Sequence, residues 1–136
     1  MEQSPYVKYR DILLNEKYGT AYRLGELVLG LYEPGRFRLR RDDCWGGFDV
    51  RHRQIYQDVA DWYHEHGNED SFVTVCEALI SRGERQAEEL HVELTRLRAT
   101  KPSDYPSVDD RTNEDSYKAA LKSCEHFLSV ARSDGF

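Results

Sequence analysis

The stretch EDSFVTVCEALISRGERQAEELHVELTRLRA, residues 69–99, decides the fold. Val73, Cys76, Ile80, Gly83, Ala87, Leu90, Leu94 and Leu97 follow one another at alternating steps of three and four residues. An α-helix turns once every 3.6 residues, so these side chains share one apolar or small face, and the spacing predicts a continuous helix over Glu69 to Ala99, roughly 45 Å long at 1.5 Å per residue. Gly83 ordinarily favours a helix end, but here it falls in register with small Cys76 and Ala87 nearby, which predicts a close helix crossing. Two helices kinked at Gly83 are the alternative, and an exposed heptad seam would pair two copies of the chain. Glycine and alanine within the seam favour packing inside one chain.

Outward from this helix the period stays close to 3.6. Ser4 caps and Pro5 starts a first helix that runs to about Lys17, where Tyr18 and Gly19 stop it; Tyr6, Tyr9 and Leu13 share its buried face. Thr20 is placed to cap a second helix carrying Leu24, Leu27, Val28 and Leu31, which ends at Glu33 to Gly35. The joint is short, so the two are expected to form an antiparallel hairpin. Asp49 caps a third helix carrying Ile55, Tyr56, Val59, Trp62 and Tyr63, which ends at Gly67 after His64 and His66 in its last turn. Lys101 to Asp110, with two prolines and three aspartates, reads as a loop. Thr112 and Asp115 then open a last helix that buries Tyr117, Leu121, Cys124, Phe127, Leu128 and Ala131. The fold class is therefore all-α: one domain over residues 1–136, a bundle of about five helices, with a short irregular or extended link near 36–48.

Composition bounds the function. The 136 residues suffice to bury one core, 39% are hydrophobic and 32% charged, and no stretch is long and apolar enough for a membrane span or signal peptide. A cytoplasmic protein with no membrane partner is expected. Cys44, Cys76 and Cys124 are odd in number and form no CxxC pair, so they read as free, buried thiols. His64 and His66, like Cys124 and His126, are two residues apart and point to different helix faces, so no metal site is expected from either pair. No GxSxG elbow, P-loop or GxGxxG turn occurs, so no cofactor is expected. An enzyme would have to be assembled from scattered groups such as Asp42, Asp43, His52 and Glu65, and the reading is of a noncatalytic protein.

The remaining chemistry is concentrated in RFRLRRDDCWGGFDVRHR, residues 36–53. Six arginines against three aspartates give it a local formal charge of +3 in a chain at −6. Residues 36–40 alternate, so an extended backbone would set Phe37 and Leu39 on one side and Arg36, Arg38 and Arg40 on the other. Arginine and tryptophan anchor protein interfaces, and nine tyrosines with two tryptophans exceed what a core this size needs. Arg36, Arg38, Arg40, Arg41, Trp45 and Arg53 are thus the candidate partner-binding residues. Grip on nucleic acid is the alternative, with Phe37, Trp45 and Phe48 stacking bases, although a pI near 5.4 opposes it. In a purely structural role Asp42, Asp43 and Asp49 pair with these arginines. Glu84, Glu88, Glu89 and Glu93 form a second, acidic surface that could meet a basic partner or simply face solvent.

Over Tyr18 to Gly67 the chain resembles a group of small uncharacterised proteins carried by bacterial plasmids and phages. The resemblance rests on Gly19, Ala21, Arg23 and Leu24 opening a helix, Tyr32 near its end, and Phe37, Leu39 and Asp42 in a short link to a second amphipathic helix. The arginine density of the link and the long helix after Gly67 depart from that group. The group has no assigned activity, so the resemblance implies only a mobile-element accessory protein. Together these readings predict a binding protein that inhibits a host or defence-system protein by steric occlusion.

Overall fold

The computed structural model describes residues 3–106 and 112–136; residues 107–110 of the expected loop lie outside them. The described residues are all-helical, without a strand, and contain seven α-helices: α1 (Pro5–Lys8), α2 (Arg10–Leu14), α3 (Gly19–Tyr32), α4 (Arg41–Cys44), α5 (Val50–His66), α6 (Asp70–Ala99) and α7 (Asn113–Ser133). Short 3-10 turns occupy Trp45–Gly47 and Pro102–Asp104. Among the described residues no helix is long and apolar enough to cross a membrane.

Seven replaces about five for local reasons. The Ser4 hydroxyl accepts from the Tyr6 amide as expected of an N-cap, but Tyr9 leaves the helical region at φ −103°, ψ 16° and divides the first helix into α1 and α2. Its phenol donates to the Asp58 carboxylate at 2.9 Å. α2 ends at Leu14 rather than Lys17; there the Arg82 guanidinium donates to the Leu14 carbonyl at 2.8 Å, satisfying an acceptor that a further turn would have used. α3 begins at Gly19 with Tyr18 in the cap position and no side-chain cap bond, so Thr20 does not cap it. The link near 36–48, expected to be irregular or extended, is without helix up to Arg40 and then holds α4 and a 3-10 turn.

The long helix is continuous, and Glu69 caps it by accepting from the Ser71 and Phe72 amides at 2.9 Å each. The chain divides into two compact units: one runs to Arg82 and takes in Gly135, and the other runs from Gly83 to Asp134 and takes in Phe136. In the first unit Phe72 is fully buried, with the rings of Tyr6, Tyr32 and Tyr63 centred 5.1, 5.8 and 4.9 Å away. Phe72, Val75, Cys76 and Leu79 form the buried face of α6 here, a face centred to one side of the expected Val73–Cys76–Ile80 stripe. The close approach of two helices occurs at Gly25, where a Cβ would lie 3.3 Å from the Leu79 side chain.

In the second unit Leu94, Leu97, Cys124 and Leu128 are the buried cluster, with Leu90, Ala120 and Leu121 against it. The Tyr117 phenol donates to the Leu97 carbonyl at 2.7 Å, and the Thr112 hydroxyl caps α7 by accepting from the Asp115 amide. Two expectations are corrected. Gly83 does not mark a helix crossing: a Cβ there would fall 2.2 Å from the Phe136 ring, so glycine leaves room for an aromatic side chain. Phe127 is not core but 56% exposed, with Val130 also exposed one turn on.

Candidate functional site

The arginine-rich link leaves α3 through a turn in which the Arg36 and Phe37 amides donate to the Glu33 carbonyl at 3.1 and 2.9 Å. Phe37 is buried and pins the link to the core of the first unit. Leu39 is half-buried and Arg38 and Arg40 are exposed, so the alternation read from the sequence survives without a strand. Arg36 breaks it: half-buried, it donates from Nε to the Gly135 carbonyl at 2.9 Å and lies with its guanidinium 5.0 Å from the Phe37 ring centre. Gly135 sits at φ +105°, and a Cβ would meet the Phe37 ring at 2.8 Å, so this contact requires glycine on both counts.

The six candidate residues therefore have different settings. Arg53 donates to the Trp45 carbonyl at 2.8 Å with its guanidinium 5.5 Å from the indole centre, and the exposed Arg41 lies 5.3 Å from the same indole. Trp45 is half-buried between these cations, with Phe48 and Tyr56 packed at ring distances of 6.2 and 6.0 Å. Arg38 donates to its own turn, from Nε to the Gly35 carbonyl at 3.2 Å. Arg40 approaches Asp42 at 3.9 Å, with both side chains about three-quarters exposed, and such a surface pair contributes roughly 0–1 kcal/mol. Arg36 and Arg53 thus hold the fold, whereas Arg38, Arg40 and Arg41 present guanidinium groups to solvent.

Beside them is an open groove of about 320 Å³, formed by Leu27, Leu31, Pro34, Phe37, Leu39 and Tyr56, with Arg38 and Arg41 contributing to its wall. Burial pushes the Tyr56 phenol upward against the opposing pull of Arg41, so it remains an O–H donor at neutral pH. Alternation in the link pointed to Leu39, but nothing local in the sequence joins it to Leu31 or Tyr56, which lie on α3 and α5.

Asp49 has a different partner from the arginines. Its carboxylate accepts from the His52 amide at 2.8 Å and from His52 Nδ1 at 2.7 Å, while the Tyr18 phenol meets His52 Nε2 at 2.8 Å. In neutral His52, Nδ1–H donates to Asp49 and Nε2 accepts from Tyr18, the order of groups that activates a hydroxyl nucleophile in hydrolases. Burial and Glu16 instead push the Tyr18 phenol above its ordinary value, opposite to activation. The chain of bonds is accounted for as a tie between the entry to α3 and the entry to α5.

Of the other candidate groups, Glu84, Glu88 and Glu89 are exposed and Glu93 pairs with Arg96 one turn on. His66 stacks against Trp62 with ring centres 4.0 Å apart. Among the described residues no group of three or more histidines, cysteines or acids is placed to hold a metal ion. Comparison of the chain with protein-family models, curated proteins and solved structures finds no match in any of the three.

Proposed function

We propose that the chain is a noncatalytic, cytoplasmic protein-binding module that docks a host or defence-system protein through its arginine-rich link and acts by occluding the partner's surface. The observation that carries this reading is the separation of roles among the arginines. Arg36 and Arg53 bond to backbone carbonyls, while Arg38, Arg40 and Arg41 stand exposed beside a half-buried tryptophan. Exposed guanidinium groups around an aromatic anchor suit an interface, because each brings several fixed donors and the ring brings apolar area at little entropic cost. The resemblance of residues 18–67 to plasmid- and phage-borne proteins supports a mobile-element accessory role.

Affinity capture from host lysate, with and without nuclease and with an Arg38→Glu/Arg40→Glu variant in parallel, tests the reading. A discrete protein that survives nuclease and is lost from the variant supports it, and the residual binding of the variant should show a faster off-rate and a flatter salt dependence. Capture that disappears with nuclease, or is the same for the variant, overturns it.

A further inference from the structure

We propose that the groove between α3, the link and α5 is the receiving site for a short acidic segment of the partner, with an apolar side chain seated on Leu31, Leu39 and Tyr56 and a neighbouring carboxylate held by Arg38 and Arg41. This rests on the docking reading above and gives it a ligand class.

Three features fix the occupant. The groove volume of about 320 Å³ lies at the low end of the roughly 300–1,000 Å³ range of ligand pockets, suited to a few side chains rather than a folded surface. Leu31 and Leu39 are only half-buried, so the groove offers apolar area that remains in contact with water. The charges beside it are guanidiniums: the exposed Arg38 donates from Nε to its own turn, and the exposed Arg41 lies over the Trp45 indole. A planar guanidinium can hold both oxygens of a carboxylate, so acid next to an apolar residue satisfies wall and floor together. Nucleic acid would satisfy the arginines while leaving the leucine floor to meet phosphate and sugar.

Selection of a random linear-peptide display library on the full chain, with counter-selection on Arg38→Glu, tests the assignment. The expected result is enrichment of peptides with aspartate or glutamate flanking a leucine or aromatic residue. Their synthetic forms should perturb the backbone resonances of Leu31, Leu39 and Tyr56, and should weaken about tenfold or more towards Arg38→Glu but not towards Arg51→Glu, an exposed residue outside the groove. No enrichment, enrichment of basic or uncharged sequences, perturbation elsewhere, or equal binding by Arg38→Glu overturns the proposal. So does a single-stranded oligonucleotide that displaces the selected peptides. Nuclease-resistant capture that needs Arg38 and Arg40 but coincides with a silent groove would remove this assignment alone, whereas failure of that capture removes the docking reading itself.

Discussion

The Arg53 guanidinium lies 5.5 Å from the centre of the Trp45 indole while donating to the Trp45 backbone carbonyl at 2.8 Å, so one side chain holds both the ring and the turn that carries it. Arg41 lies near the same indole but is exposed, whereas Arg53 is half-buried. Arg53→Ala should therefore cost about 1–2 kcal/mol, the sum of a hydrogen bond and a cation–π contact. Arg41→Ala, which removes an exposed cation–π contact and no bond to the Trp45 carbonyl, should cost less, about 0.5–1 kcal/mol at most. Urea midpoints of the two variants separate these roles; equal losses would mean that Trp45 is not held from the Arg53 side.

Gly83 supplies a second test through its neighbour. In an unobstructed helix interior, glycine to alanine gains roughly 0.5–1 kcal/mol. Here the new methyl would fall 2.2 Å from the Phe136 ring, so Gly83→Ala should destabilise by expelling that ring. In a Phe136→Ala background the same substitution should stabilise. A thermal-melt cycle over the four proteins reads the reversal of sign, and a gain in both backgrounds would show that the ring does not occupy this space.

Length of pattern governed what could be read in advance. The 30-residue α6 repeats its period often enough for one helix to be read across Gly83, with a kink there as the alternative, and Asp49 and Gly67 bound α5, with Gly67 at φ +64°. The four-residue α4 and the interruption at Tyr9 span about one turn each, too short for a period, and the bond from Tyr9 to Asp58 joins residues far apart in sequence. Small Gly83 signals a close approach, but to the Phe136 ring and not to the helix expected from the sequence. The arginines of the candidate site are legible as a group, but their division is not. Whether a guanidinium reaches a backbone carbonyl, as Arg36 and Arg53 do, depends on tertiary placement.

The cysteines give a prediction about reactivity. All three are buried and free. Burial, aided by Glu77, pushes the Cys76 thiol up to about 12, and burial also raises Cys44 and Cys124. Because the thiolate is the reactive form, an aromatic disulfide reagent at pH 8 should leave the native protein essentially unmodified and titrate three thiols once denaturant is added. Rapid native-state reaction at Cys44 would show that the α4 turn opens readily, since that residue lies within it.

Acid sensitivity should arise at the two carboxylates that cap the longer helices of the first unit. Asp49 is held below its ordinary 3.8 by hydrogen bonds from the His52 amide and ring, with Arg51 adding to the effect. At Glu69 burial alone would raise the carboxyl above 4.5, but hydrogen bonds from the Ser71 hydroxyl and amide, the Phe72 amide and the Trp62 indole outweigh it and bring it lower. A depressed folded-state value means that the unfolded chain binds the proton first as pH falls. The stabilisation from each charge is therefore complete above the ordinary carboxylate range, and it is lost as pH drops through that range towards the folded-state value. Asp49→Asn and Glu69→Gln keep an oxygen acceptor for the helix amides but cannot titrate. Relative to the parent, their urea midpoints should lie lower at pH 7 and converge towards it as pH falls below the ordinary carboxylate range, where the parent carboxylates become protonated. A constant gap between parent and variants across that interval would show that the capping bonds, and not the charges, carry the contribution.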